Sequence, residues 1–420
     1  MSESGSSEAF LGVNRSRRPL SIRLLNGLGA FGELLGLQSG IDTPELMELA
    51  QRKTGLIDFD GDYAIEALNV LIESINEEAR LTPVGQLIQR RRILNALFAR
   101  LKIREFQRKN QDLVDRPLNK VILIAGLQRT GTTLLQRLIA SHPQFRGITA
   151  AEAFDPVAVV TGLTHNVNAA NRQAWIYEKA LSFLAPEFKT IHPVDRSEPE
   201  EDVLLLDLNF MSQSPEAMMR VPSYSNWLEN QDHHPVYAHF QKTLKMLQIS
   251  DPRTHWVLKS PHHLEYLDIV LKQFPDATIV QTHRDPRRTM PSFCSMVAHS
   301  FRIFSDHVDT DEIATHWLRK VKRMIQKSLD VRALNPACFF DVSYYDLIER
   351  PLDVLAGLWN HVGVEFGDAE RIAAQRCLTE NPKNRFGRHE YRLRDFGFDT
   401  RKIDSEFRSY RADFDIPIES

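Results

Sequence analysis

Three stretches of this sequence carry residues that can hold anions. Gly126-Leu127-Gln128-Arg129-Thr130-Gly131-Thr132-Thr133 lies between an apolar run, Val121 to Ala125, and a helical pattern in Leu134, Leu135, Leu138 and Ile139 that stops near His142-Pro143. In such a strand-loop-helix unit the glycines let the backbone curl, amides point inward, and the helix offers its positive end to a phosphate. A nucleotide triphosphatase places Lys after the second glycine to reach the β and γ phosphates. Here Thr132 stands at that position and the cation comes earlier, as Arg129, so the loop suits a single phosphate. Gln128, Arg129, Thr130, Gly131, Thr132 and Thr133 are its candidate binding residues.

The second stretch begins at Phe274-Pro275-Asp276-Ala277, passes through a short strand and emerges as Thr282-His283-Arg284-Asp285-Pro286, with Ser292 eight residues after Arg284. A strand-end Arg and a Ser two helical turns later can face one anion. The third, Leu258-Lys259-Ser260-Pro261-His262-His263-Leu264, puts a cation and two imidazoles at another strand end, where open α/β sheets bind ligands. Carboxylates are available at Glu152 and in the run Glu198-Pro199-Glu200-Glu201-Asp202.

Together these segments resemble the PAPS-dependent sulfotransferase family (PAPS, 3'-phosphoadenosine 5'-phosphosulfate), over about Val121 to Gly397. The resemblance is to a bacterial branch whose Arg-containing loop is similar to that of protein-tyrosine sulfotransferases. It implies a P-loop-type parallel sheet and a first loop that binds the donor's 5'-phosphosulfate, with Arg284 and Ser292 on its 3'-phosphate. It further implies that Tyr344, in Val342-Ser343-Tyr344-Tyr345-Asp346-Leu347, contacts the adenine. Arg385 and Arg388, in Arg385-Phe386-Gly387-Arg388, fall where a loop closes over the 3'-phosphate, although the family's Arg-Lys-Gly wording is absent.

The reaction so implied is in-line sulfuryl transfer to a hydroxyl or amine, driven by positioning and electrostatics and requiring no metal. Arg129, Thr132 and Thr133 hold the 5'-phosphate and Lys259 neutralises the departing oxygen. His262 is favoured as the base, since a neutral imidazole suits that task near pH 7; His263, Glu152 and the Glu200/Glu201 pair are the alternatives. Small-molecule, lipid and glycan acceptors all stay open, with a mild lean toward a hydrophobic alcohol from Trp175, Phe183, Phe188, Phe210 and Trp227, although residues of this kind at such spacing more often belong to a packed core. The competing readings are a small-molecule kinase, which needs Mg²⁺ and the missing loop Lys, and a non-catalytic nucleotide-binding scaffold.

The elements that must position these residues are α/β. Strand-like runs at Val121–Ala125, Trp256–Leu258, Thr278–Val280 and Phe339–Val342 alternate with helical stretches, predicting a central parallel sheet flanked by helices. Residues 1–18, rich in Ser, Gly and Arg, read as disordered. Residues 19–115 read as a helical extension, with Ala64, Ile65, Leu68, Leu71, Ile72 and Ile75 at helical spacing, and 116–420 as the core, whose residues 150–250 are a variable, acceptor-side insert. The basic stretch Arg90–Lys109 reads as the solvated face of a core-packing helix, so no nucleic-acid partner is expected. Three widely spaced cysteines, Cys294, Cys338 and Cys377, form neither a disulfide framework nor a zinc cluster and fit a reducing, cytoplasmic setting. No apolar run is long enough for a transmembrane segment, and nothing fixes the oligomeric state.

Overall fold

The computed structural model describes residues 18–34, 40–184, 198–251, 253, 255–381 and 393–419. Of the segment 1–18, expected to be disordered, residues 1–17 lie outside them, as do Arg385, Arg388 and Phe188. At its centre is a five-stranded sheet, parallel throughout, in the order β2-β3-β1-β4-β5: β1 Val121–Ile124, β2 Phe145–Arg146, β3 His255–Lys259, β4 Thr278–His283 and β5 Phe339–Ser343. The inner strands β1 and β4 are buried along their whole length; β1 reads as an unbroken apolar run for that reason, whereas β4 ends on the polar Gln281, Thr282 and His283. Side chains alternate between faces: Val121, Leu123, Trp256, Leu258 and Ile279 join one apolar cluster, and Ile122, Ile124, Val257 and Val280 the other.

The helices α1 Leu20–Leu34, α2 Thr43–Thr54, α3 Asp62–Glu78 and α4 Pro83–Lys109 precede the sheet, and the last three share the first cluster with it. Asp42 caps α2 by accepting from the Glu45 amide at 2.9 Å, and Thr82 caps α4 ahead of Pro83. α3 buries Ala64, Leu68, Leu71, Ile72 and Ile75, the stripe its spacing predicts. The basic residues of α4 depart from a purely solvated face. Arg100 is fully buried and donates to the carbonyls of Phe59 (2.8 Å) and Asp60 (2.9 Å), while Arg90, Lys102 and Arg104 pair with Glu45, Asp155 and Asp58. The reason is geometric: α4 lies between the other helices and the sheet domain, so its cations meet carboxylates on both sides.

α5 Thr132–Ala140 follows the glycine loop, and α6 Ala150–Phe154 opens the stretch 150–250. Farther on, α7 Pro286–Phe304 and α8 Thr310–Leu334 lie after β4 and before β5. Among the aromatics weighed for an acceptor pocket, Phe210 is in the core whereas Trp175 and Phe183 are exposed. No helix among the described residues is long and apolar enough to cross a membrane.

Candidate active site

Pairing of Ile124 with Lys259 and Val280, and of His283 with Ser343, brings the carboxyl ends of β3, β1, β4 and β5 side by side. The glycine loop, Lys259, Arg284 and Tyr344 leave the sheet there. Gly126 is required by space, since a Cβ on it would sit 2.0 Å from Thr282 Oγ1. Thr130, fully buried, donates to the Leu127 carbonyl at 2.5 Å and shares a hydrogen bond with Thr282, tying the loop to β4. On either side of it Arg129 (φ 70°) and Gly131 (φ 89°) take left-handed backbone, which turns the intervening amides into a concavity. Gly131 caps α5 with no side-chain hydrogen bond, so the helix's first amides are left to a ligand or solvent.

Left-handed backbone at a non-glycine such as Arg129 is strained and persists only where the surroundings over-determine it. Here Arg129 Nε donates to Ser292 Oγ at 3.1 Å, and Arg284 Nη1 donates to the Arg129 carbonyl at 3.1 Å. Arg284 also lies over the Tyr344 ring at 3.9 Å. Four residues singled out by sequence, from three separate segments, thus form one cationic wall. Gln128 is half-buried in the loop beside it.

On the other side of the loop, buried Lys259 reaches Thr133 Oγ1 at 3.5 Å and Glu201 Oε1 at 2.6 Å. Next to Glu201, burial pushes the Glu200 carboxyl up to about 7, against the pull of Lys259 and with further help from the charge of Glu201. Within the acidic run it is Glu201 that faces the site.

The imidazoles lie elsewhere. His263 is fully buried, with Nε2 against Asp202 (2.8 Å) and Nδ1 against the Tyr237 hydroxyl (2.7 Å). His262 is equally buried among His233 and Tyr266; neither of its nitrogens has a hydrogen-bond partner among the described residues, and desolvation holds its pKa well below the usual histidine value. Neither ring hydrogen-bonds to Lys259 or Thr133. Glu152 is committed to structure: it pairs with buried Arg146 and closes a capping box with Thr149 at the start of α6.

The sequence offers Glu201 only as one of several alternative bases, and it is the fold that brings it to Lys259. A neighbour of Arg284 is absent from the sequence reading altogether. Glu419 reaches Arg284 at 2.8 and 3.2 Å, and no local signal marks it. Among the described residues no group of three or more His, Cys, Asp or Glu side chains is arranged to hold a metal ion.

The profile of the Sulfotransferase family matches residues 121–368. Omega-hydroxy-beta-dihydromenaquinone-9 sulfotransferase Stf3 of Mycobacterium bovis is 25% identical over 265 residues, 59% of this chain and 63% of that protein, so the match spans less than two thirds of the relative. The crystal structure of sulfotransferase STF1 from Mycobacterium tuberculosis H37Rv superimposes with a TM-score of 0.77 at 30% identity, over 89% of this chain and 100% of that one. Sulfotransferase STF9 from Mycobacterium avium shares the fold, with a TM-score of 0.81 at 23% identity over 90% and 98% of the two chains. With a profile over more than half its length, and a solved relative matched from end to end, this chain belongs to the sulfotransferase family.

Proposed function

We propose that the protein moves a sulfuryl group from PAPS to the hydroxyl, or amine, of a small-molecule or lipid acceptor, releasing 3',5'-adenosine bisphosphate. The observation that carries this reading is the pair of contacts joining two anion-holding elements, Arg129 to Ser292 and Arg284 to the Arg129 carbonyl. A loop for one phosphate next to a second cationic wall fits a ligand with two separated phosphates, and the Tyr344 ring offers a flat surface for a base. When bound, the donor supplies an activated sulfuryl group.

The chain's own residues do the rest. The loop amides, Thr132 and Thr133 hold the 5'-phosphate, and Lys259 neutralises charge on the oxygen that leaves. Glu201 replaces His262 as the favoured proton acceptor, because it shares Lys259 with the loop while both imidazoles are enclosed. Glu200, with a pKa near neutrality, is the second candidate. A hydrophobic alcohol is the favoured acceptor class, in keeping with the hydroxylated menaquinone in the name of the mycobacterial relative.

Calorimetric titration with 3',5'-adenosine bisphosphate, 5'-AMP and Mg-ATP tests this. Charge-assisted hydrogen bonds to the extra phosphate should favour the bisphosphate over AMP by about 10- to 100-fold. Arg284→Ala should erase that preference. Tighter binding of Mg-ATP would replace this reading with a kinase.

A further inference from the structure

The wall assigned above to the donor's 3'-phosphate already holds an anion that belongs to the chain itself. The segment after the helix Arg408–Asp413 turns at Asp415 (φ 49°), where the Ile416 amide donates to the Arg411 carbonyl at 2.9 Å. Ile416 is buried, and the Tyr345 hydroxyl lies 3.4 Å from the Pro417 carbonyl. The Glu419 amide then donates at 2.7 Å to Asp285, the buried residue that caps α7. So anchored, the Glu419 carboxylate accepts from Nε and Nη2 of Arg284 (2.8 and 3.2 Å) and from the Tyr345 hydroxyl (3.0 Å), with Arg288 at 3.7 Å.

Nε and Nη2 form the edge of a guanidinium that grips a carboxylate or phosphate in two-pronged fashion. The Nη1 of Arg284 is turned to the loop carbonyl of Arg129. A phosphate dianion and a carboxylate cannot share that one edge without strong like-charge repulsion. Building on the donor-site reading above, we propose that Glu419 is an internal competitor for the 3'-phosphate: it latches the 414–419 segment over Arg284, and a ligand with a 3'-phosphate must displace it to bind.

The latch would also act in the reverse direction, since Glu419 returning to Arg284 assists departure of the spent bisphosphate. A ligand lacking the 3'-phosphate leaves the latch closed. Only the fraction of molecules with the latch open accepts the bisphosphate, so its apparent affinity is reduced by that fraction.

The test uses the full chain and its Glu419→Gln variant, titrated calorimetrically with 3',5'-adenosine bisphosphate and with 5'-AMP. Glu419→Gln should tighten the bisphosphate about tenfold and leave AMP unchanged. In the unaltered protein, hydrogen exchange at the Glu419 amide should accelerate when the bisphosphate saturates the site and stay slow with AMP. If the unaltered protein prefers the bisphosphate but Glu419→Gln binds it equally or more weakly, Glu419 only orients Arg284 and the latch is wrong. Equal tightening of AMP, or unchanged exchange, also overturns it. If neither protein prefers the bisphosphate to AMP, the donor-site reading itself fails and takes the latch with it.

Discussion

Lys259 and Glu201 hold each other at 2.6 Å beside Thr133, which places a cation and a carboxylate on the same side of the glycine loop. Glu201→Gln keeps the shape and a hydrogen-bonding group but removes the basic oxygen. Its kcat should fall about 10²- to 10⁴-fold with bisphosphate affinity changed only a few-fold, as rapid-quench sulfation assays and calorimetry would show. His262→Ala should behave in the opposite way, lowering the melting temperature because it opens a hole among His233 and Tyr266, with little change in kcat. A loss of turnover in His262→Ala without loss of stability would return the base to the imidazole. At this scale the residues proposed to hold anions stood out in the sequence because Arg129, Arg284 and Ser292 sit at fixed offsets from strand ends. Glu201 was legible only as one of several alternative bases, because its partner lies 58 residues away and an acidic run alone carries no record of what it faces.

Among the elements, the glycine loop is the one whose geometry is most tightly determined. An added methyl at Gly126 would drive into Thr282, which is already bonded to Thr130 and cannot step aside without releasing the loop. Gly126→Ala should therefore lose about 1–3 kcal/mol in urea denaturation and weaken bisphosphate and AMP binding together, since both use the loop. The strands at this level announced themselves where burial on both faces makes a continuous apolar run, as in Val121–Ile124. Phe145–Arg146 did not: it is two residues long, and one is an Arg whose guanidinium stacks 4.4 Å over the Trp256 ring on the neighbouring strand. Arg100 was misleading for a related reason, because helical periodicity places a cation on a face without saying whether carbonyls from another element are waiting for it.

Across the whole molecule, a buried cation ties separate parts of the chain together. Lys320 on α8, fully buried, lies 3.2 Å from Glu216, 3.1 Å from Glu229 and 2.9 Å from Glu265, the last of which follows the turn that carries His262 and His263. Burial alone would favour neutral Lys320, but the three carboxylates outweigh it and hold the pKa above the ordinary lysine value. Glu216, despite its burial, is drawn down to about 2 by Lys320 and His316. Lys320→Met would strand those carboxylates, and urea denaturation at pH 7 should show a loss of about 3–5 kcal/mol. Because Glu216 has a depressed folded-state pKa, its stabilising contribution is present above its ordinary value of 4.5 and fades as pH falls toward 2. The deficit of the variant should accordingly hold from pH 7 to about pH 5 and narrow as pH falls from 4.5 toward 2. No sequence pattern hinted at this knot, whose members are spread from residue 216 to residue 320. The order of the sheet has its own consequence for how the chain is born. Val121 pairs with Trp256 and Ile122 with Thr278, so the middle strand leaves the ribosome as a bare apolar ribbon and waits on the order of ten seconds for its neighbours to be synthesised. The helices α2 to α4, complete by then, share the apolar cluster that receives Val121 and Leu123, and give the nascent strand a surface to rest on before its hydrogen-bonding partners exist.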